Sequence, residues 1–247
     1  MLIGVPKEIK NHEYRIGLTP AGVRELVGQG HQVMIEQDGG AGIGLDDAMY
    51  RAAGAEIVSS AAEIFKRAEM IIKVKEPQPA ECRQLREGQI LFTYLHLAPD
   101  PEQTQLLLQS GVTAVAYETV TDRNGALPLL APMSEVAGRM AVQAGAHSLE
   151  KAQGGNGMLL GGVPGVEPAR VMVIGGGVVG LNAARMAAGL GADVTLLDRS
   201  LARLKQIDEV YGSSIKTLFS TTDAIERHLA EVDLVIGAVL IPGAAAP

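Results

Sequence analysis

The stretch Val171-Met-Val-Ile-Gly-Gly-Gly-Val-Val-Gly180, followed by a helical segment and then Val194-Thr-Leu-Leu-Asp198, constrains this chain more than any other feature. Four apolar residues run into Gly175-x-Gly177-x-x-Gly180, the pattern of a buried parallel strand ending in a tight turn before a helix. Gly175 permits the turn, Gly177 lets a pyrophosphate approach the backbone, and Gly180 lets the helix pack on the strand. Glycine-rich turns are common, so the flanking context matters. A strand precedes, a helix follows, and Asp198 arrives at about the 20-residue offset of a carboxylate that hydrogen-bonds adenosine ribose hydroxyls. The pattern predicts a dinucleotide-binding βαβ unit with the pyrophosphate on a helix N-terminus. A carboxylate at Asp198 repels a 2′-phosphate and favours NAD over NADP, although Arg199 beside it weakens that preference. An ordinary strand-end acid is the alternative for Asp198.

At 247 residues the chain suits two domains. Its 47% hydrophobic content, 30 glycines and 3% aromatic residues fit α/β units with Val, Ile and Ala cores. A net charge of −7 argues against a nucleic-acid binder. The apolar stretches are too short and too broken by Gly and Pro for a membrane span. No secretion signal is expected from the start Met1-Leu-Ile-Gly-Val-Pro-Lys-Glu. The single cysteine, Cys82, reads as a plain helix residue and agrees with a reducing cytoplasm.

The first part of the chain also alternates strands and helices. Strands are predicted at 2–5, 32–36, 70–74, 89–93 and 112–116, and helices after the Thr19-Pro20 cap, near 46–53, near 61–67 and over 101–110. A long helix with Ser134 as its N-cap is expected to run to about residue 153. The glycine-rich loop from Gly154 to Gly165 follows, read either as a flexible linker or as a packed loop. Further on come a helix to about Tyr211, a strand at 215–219, a helix near 223–230 and a strand at 234–239. The expected fold class is α/β, with two Rossmann-like parallel-sheet domains, 1–128 for substrate and catalysis and 129–247 for the dinucleotide, and the active-site cleft between them.

Standout residues of the first domain lie just after its strands: Arg15, Lys75, His96 and Glu118. Those ends open on one edge of a parallel sheet, where ligands bind, so four loops could converge on one site. Arg15 suits a carboxylate, because a planar guanidinium pairs with it through two hydrogen bonds; a surface arginine is the alternative. Lys75 could orient a carbonyl oxygen or carboxylate, with Lys73 on the same face. Either lysine fits a snorkelling edge residue equally well. His96 can exchange a proton near neutral pH, which an oxidation that removes a hydride requires. A lone histidine among apolar residues is more often structural. His12, His31, His147 and His228 read as loop or helix-surface residues. No metal-ligand spacing, HExxH motif or nucleophile elbow is present, so no metal is expected.

The segments Ile3-Gly-Val-Pro-Lys-Glu-Ile-Lys-Asn11, Arg15-Ile-Gly-Leu-Thr-Pro20, Lys73-Val-Lys-Glu-Pro77, Thr93-Tyr-Leu-His-Leu97, Leu160-Gly-Gly-Val-Pro-Gly165 and Ile174-Gly-Gly-Gly-Val-Val-Gly180 together closely resemble the bacterial alanine dehydrogenase family, across the whole chain. The resemblance implies NAD-dependent, reversible oxidative deamination of L-alanine to pyruvate and ammonia. It puts Arg15 and Lys75 on the substrate and makes His96 an acid/base. It assigns NAD contacts to Ser134, Val178, Asp198, Ser220, Val239 and Leu240, with Arg203 where the family often carries a lysine near the adenosine. It further implies a cytoplasmic homo-oligomer, a hexamer, with no membrane or nucleic-acid partner. Chains of that family run on past Pro247 and add an active-site aspartate, so the resemblance implies a C-terminally truncated form. Two other readings stand beside it: the NAD(H)-binding portion of a proton-translocating transhydrogenase, and a non-catalytic nucleotide-binding fragment.

Overall fold

Short β-branched runs alternating with helices give each half of the chain a parallel sheet wrapped on both faces. The structure, a computed structural model, describes residues 1–241. The chain divides into two units, Met1–Leu129 and Leu130–Pro247.

In the first unit the strands are β1 (Leu2–Val5), β2 (Gln32–Glu36), β3 (Glu56–Val58), β4 (Met70–Ile72), β5 (Ile90–Thr93) and β6 (Thr113–Ala116). All neighbours pair parallel, in the order β3-β2-β1-β4-β5-β6. Strand alternation supplies both faces. Ile3, Val5, Val33, Ile35 and Ile72 build one core, while Met34, Ile71 and Leu91 enter the other. The helices are α1 (Pro20–Gly28), α2 (Asp47–Ala52), α3 (Ala61–Arg67), α4 (Pro79–Cys82) and α5 (Pro101–Ser110). Their starts follow capping chemistry: the side chains of Thr19, Asp46, Ser60 and Asp100 each accept a first-turn N–H, and Pro20 and Pro101 sit where no N–H is needed.

In the second unit β7 (Arg170–Ile174), β8 (Asp193–Asp198), β9 (Lys216–Phe219) and β10 (Leu234–Gly237) form a parallel sheet in the order β10-β7-β8-β9. Its helices are α6 (Ala131–Leu149), α7 (Val178–Gly189), α8 (Leu201–Tyr211) and α9 (Thr222–Leu229). Val171, Val173, Val194 and Leu196 face the larger core, and Met172 and Leu197 the smaller one on the other side.

Several boundaries differ from those expected. Ser134 is not the N-cap of the long helix, which begins at Ala131, because Pro132 is accommodated in the first turn. That helix ends at Leu149, where Glu150 turns extended, and a short 3-10 turn covers Lys151–Gln153. The strand expected to reach Val74 stops at Ile72, and β3, only three residues long, carries too little alternation to be read from sequence. The Gly154–Gly165 loop is anchored at Leu160, which is buried in the larger core of the second unit, while Leu159 and Val163 are exposed. Cys82 is buried on α4, and burial pushes its thiol up to about 11. Among the described residues no helix is long and apolar enough to cross a membrane.

Candidate functional site

The chain order of the first sheet reverses between β1 and β4, and ligand crevices form outside the carboxyl ends of strands at such a reversal. Four loops leave the sheet at that edge. The loop after β1 carries Glu8, Glu13 and Arg15; the loop after β4 carries Lys73 and Lys75; Tyr94 and His96 follow β5; Tyr117 and Glu118 follow β6.

Arg15 is held by its own loop. Its Nε donates to Glu13 Oε1 at 2.8 Å and its Nη2 to Glu13 Oε2 at 2.5 Å, a bidentate pairing that orients the guanidinium. The Arg15 hydrogen bond holds the Glu13 carboxyl below the usual carboxylate range, with Lys75 adding a weaker attraction. Glu13 in turn raises the Arg15 guanidinium, and Glu8, with Tyr94 when it is ionised, adds a weaker attraction. These mutual effects put Arg15, Lys75, Tyr94 and Glu8 in one electrostatic neighbourhood.

The two lysines have different fates. Lys73 is fully buried, with Nζ 2.8 Å from Glu81 Oε1 and 3.1 Å from Glu8 Oε2. It is an internal ion-pair residue and not a snorkelling edge lysine. Its backbone turns off β4, and the Tyr117 hydroxyl donates to its carbonyl at 3.0 Å. Glu8 Oε1 accepts the Val74 N–H at 2.6 Å and the Lys75 N–H at 3.3 Å, while Thr93 donates to the Lys75 carbonyl at 2.9 Å. The backbone of Lys75 is thus bracketed on both sides, and its side chain stays half-buried.

His96 is exposed beyond β5, in a left-handed backbone conformation (φ 48°) that L residues seldom adopt. Its ring stacks with that of Tyr94 at 6.2 Å between centroids. Burial raises the Tyr94 phenol, with Arg15 opposing and Glu118 adding to the shift. The half-buried Glu118 accepts backbone N–H groups from Leu95 and His96. The first unit therefore brings Arg15, Lys75, His96 and Glu118 to one sheet edge.

In the second unit the glycine turn is built as the motif requires. Gly175 has φ 104°, and a Cβ there would meet the Ala238 carbonyl. A Cβ on Gly180 would lie 1.8 Å from the Gly175 carbonyl oxygen, so only glycine lets α7 approach β7 this closely. Gly177 is different: nothing lies within 4 Å of the Cβ it lacks. The space is open to a ligand, beside an α7 start that has no side-chain cap. Asp198 closes β8, with Oδ2 accepting the Gly176 N–H at 2.6 Å and Oδ1 the Ser200 N–H at 2.7 Å. Arg203 Nε donates to the Gly176 carbonyl at 2.6 Å. Both side chains thereby hold the turn from the α8 side.

A pocket of about 220 Å³ opens at the carboxyl ends of these strands, lined by Gly175, Asp198, Ser220 and Val239 among others. Val178 is the exposed first residue of α7, and Leu240 is exposed just beyond Val239. Neither these two nor Ser134 lines the pocket. Ser134 lies half-buried in the second turn of α6, one turn before Gly138, where the missing Cβ lets α6 lie against Val179 of α7. Among the described residues, no group of three or more His, Cys, Asp or Glu side chains could hold a metal.

Residues 4–137 match the family described as alanine dehydrogenase/PNT, N-terminal domain, and residues 141–247 match its C-terminal domain. The chain belongs to the alanine dehydrogenase/PNT family. It is 64% identical over its whole length to an alanine dehydrogenase of Halomonas elongata, of which it covers 67%. Among solved structures, an L-alanine dehydrogenase superposes with a TM-score of 0.93 at 54% identity, with all of this chain and 68% of the other covered. A transhydrogenase from Sinorhizobium meliloti gives 0.82 at 28%, with all of this chain and 72% of the other covered. The chain spans about two thirds of the length of the curated alanine dehydrogenases it matches.

Within this family member, sequence reasoning missed Glu8, Glu13, Tyr94 and Tyr117. Glu13 left a faint signal, a carboxylate two residues before Arg15. Glu8 left another, a carboxylate three residues after the apolar first strand. Neither signal says which backbone the carboxylate holds.

Proposed function

We propose that this chain carries the substrate and NAD sites of an L-alanine dehydrogenase, which converts L-alanine, NAD⁺ and water to pyruvate, ammonium, NADH and a proton. The observation that carries the reading is the convergence of Arg15, Lys75 and His96 at one sheet edge of a chain 64% identical to an alanine dehydrogenase. Arg15, oriented by Glu13, binds the substrate carboxylate. Lys75 stabilises negative charge on the C2 oxygen. His96 takes a proton from the water that adds to the C2 imine and returns it to the departing nitrogen. NAD⁺, when bound, supplies the hydride acceptor. Gly175, Gly177, Val178 and Gly180 would hold its pyrophosphate, and Asp198 its ribose. Arg203, Ser220, Val239, Leu240 and Ser134 would complete the contacts. The open space at Gly177 and the uncapped α7 start support that fit. The same reading includes a cytoplasmic homo-oligomer, a hexamer; the lone buried cysteine suits a reducing compartment, and the hexamer rests on family likeness.

The test is the growth of 340 nm absorbance when L-alanine and NAD⁺ are added to this chain and to one extended to its relatives' length. Growth in either supports the reading. NADH binding with silence in both moves the assignment to a nucleotide-binding domain, the reading that the transhydrogenase likeness offers. Arg15→Ala should raise the L-alanine KM by roughly tenfold or more, since charge-assisted bonds contribute about 1.5–3 kcal/mol each; an unchanged KM removes Arg15 from the substrate. Asp198→Asn should weaken NADH binding by about tenfold on the same scale and leave the L-alanine KM in place. Equal losses in both would count against a ribose contact.

A further inference from the structure

We propose that Glu118 is the positioning residue for His96: it clamps the peptide that carries the histidine and so sets the direction of the imidazole. The proposal rests on the reading of His96 as the proton-transfer group. Glu118 stands beyond β6, 22 residues from His96 in sequence, yet its Oε1 accepts the His96 N–H at 2.7 Å and the Leu95 N–H at 3.0 Å, with Oε2 a further 3.3 Å from the Leu95 nitrogen. Two consecutive N–H groups converge on one carboxylate, an arrangement in which an ionised acceptor binds more tightly than a neutral one. The other end of the same peptide is also held, because the buried Gln103 donates from Nε2 to the Leu95 carbonyl at 3.0 Å.

The Leu95–His96 peptide plane is therefore tied at its carbonyl by Gln103 and at its N–H by Glu118. With that plane fixed, one backbone rotation decides in which direction the His96 Cβ leaves the chain, leaving only the side-chain rotamer to aim the ring, and that rotation sits at φ 48°. Such a conformation persists only where surrounding bonds over-determine it. The neighbouring Leu95 side chain is buried, which anchors the turn on the core side. Nothing in this arrangement requires Glu118 to touch substrate. Its effect on the reaction passes through the histidine, where a small misplacement costs rate out of proportion to its size.

The experiment uses whichever chain shows L-alanine-dependent activity, with NADH binding and the melting temperature confirming that each variant is folded. Glu118→Ala should lower kcat roughly 10²-fold, the scale of a displaced catalytic group, with the L-alanine KM within about threefold. Glu118→Gln keeps an oxygen that can accept both N–H groups and should restore most of kcat. Glu118→Asp keeps the charge but falls one methylene short, and should behave like Glu118→Ala. In a His96→Ala background, Glu118→Ala should have no further effect on kcat. A second full loss in that background would make Glu118 a latch independent of His96 and overturn the proposal. So would an Asp variant as active as the native protein, or a Gln variant as poor as the Ala one, because charge and not backbone clamping would then be at work. His96→Ala with native kcat would instead overturn the functional reading on which the proposal rests, and it is read from that single variant alone.

Discussion

The two units shape the carboxyl edge of a parallel sheet by opposite means. In the second unit the absence of side chains does the work. Gly175, Gly177 and Gly180 fall in a single turn: Gly180 lies against the Gly175 carbonyl, Gly177 faces open space, and Gly175 lies against the Ala238 carbonyl just after β10. In the first unit carboxylates do it, from far away. Glu8 holds the backbone of Val74 and Lys75 across 66 and 67 residues, and Glu118 holds Leu95 and His96 across 23 and 22. A glycine turn is a local device that a pattern can show. A carboxylate clamp is a long-range device whose partners are backbone groups, and backbone groups carry no sequence identity.

The glycine side of that contrast breaks most abruptly. Gly180→Ala puts a methyl 1.8 Å from the Gly175 carbonyl, a contact with backbone on both sides that no rotamer relieves. A loss at the exceptional end of single substitutions, roughly 4–5 kcal/mol, is expected, read as collapsed amide-exchange protection of β7 and β8. Gly177→Ala meets nothing within 4 Å and has an ordinary φ of −69°. Its protection should stay within about 0.5 kcal/mol of native while NADH binding weakens. If Gly177→Ala binds NADH as the native chain does, the open space at that turn is not where the pyrophosphate lies.

Next in size is the carboxylate side. Lys73→Met removes the cation from between Glu8 and Glu81 and leaves two acids facing one buried space. Breaking a buried pair this way costs roughly 3–5 kcal/mol. The loss should appear in the exchange of β1 and β4, the strands the triad joins, and leave β7 and β8 untouched. Adding Glu8→Gln and Glu81→Gln to Lys73→Met should return part of it. A loss below about 1 kcal/mol would mean that the triad is hydrated in solution and holds little.

The same contrast explains what could be read in advance. The parallel α/β class, nearly all strands and the whole glycine turn with Asp198 follow from hydrophobic period and local spacing. Arg15, Lys75, His96 and Glu118 were legible as a group because each follows a strand, and strands in a parallel sheet end on one edge. Their individual roles were not. Lys73 and Lys75 look alike in Lys73-Val-Lys75, and only the fold shows that one is consumed by Glu8 and Glu81 while the other is left half-exposed. Ser134 was misplaced as a cap because serine is a good one, and the proline two residues earlier outweighed it by fitting the first turn. β3 was missed because three residues hold too little alternation to register.

The smallest expected effect belongs to Glu13, whose clamp on Arg15 acts within its own loop. Because Arg15 holds its carboxyl below the ordinary range, the folded pKa lies under the unfolded one. The ionised form therefore adds stability above the unfolded pKa, and that contribution disappears as the pH falls through the depressed folded value. The Arg15 side chain is 43% exposed, so solvent screens the pair even though the Glu13 side chain is only 7% exposed, and its contribution is about 0.5 kcal/mol. Glu13→Gln should lower the urea midpoint slightly at pH 7, and the gap between native and variant should narrow steadily as the pH drops below the carboxylate range. Its functional mark should be larger than its stability mark, since a loosened Arg15 raises the L-alanine KM without changing NADH binding. A gap that widens in acid would reverse the sign of the linkage and show that Glu13 is protonated in the folded protein. Arg15 would then owe its direction to something other than this carboxylate.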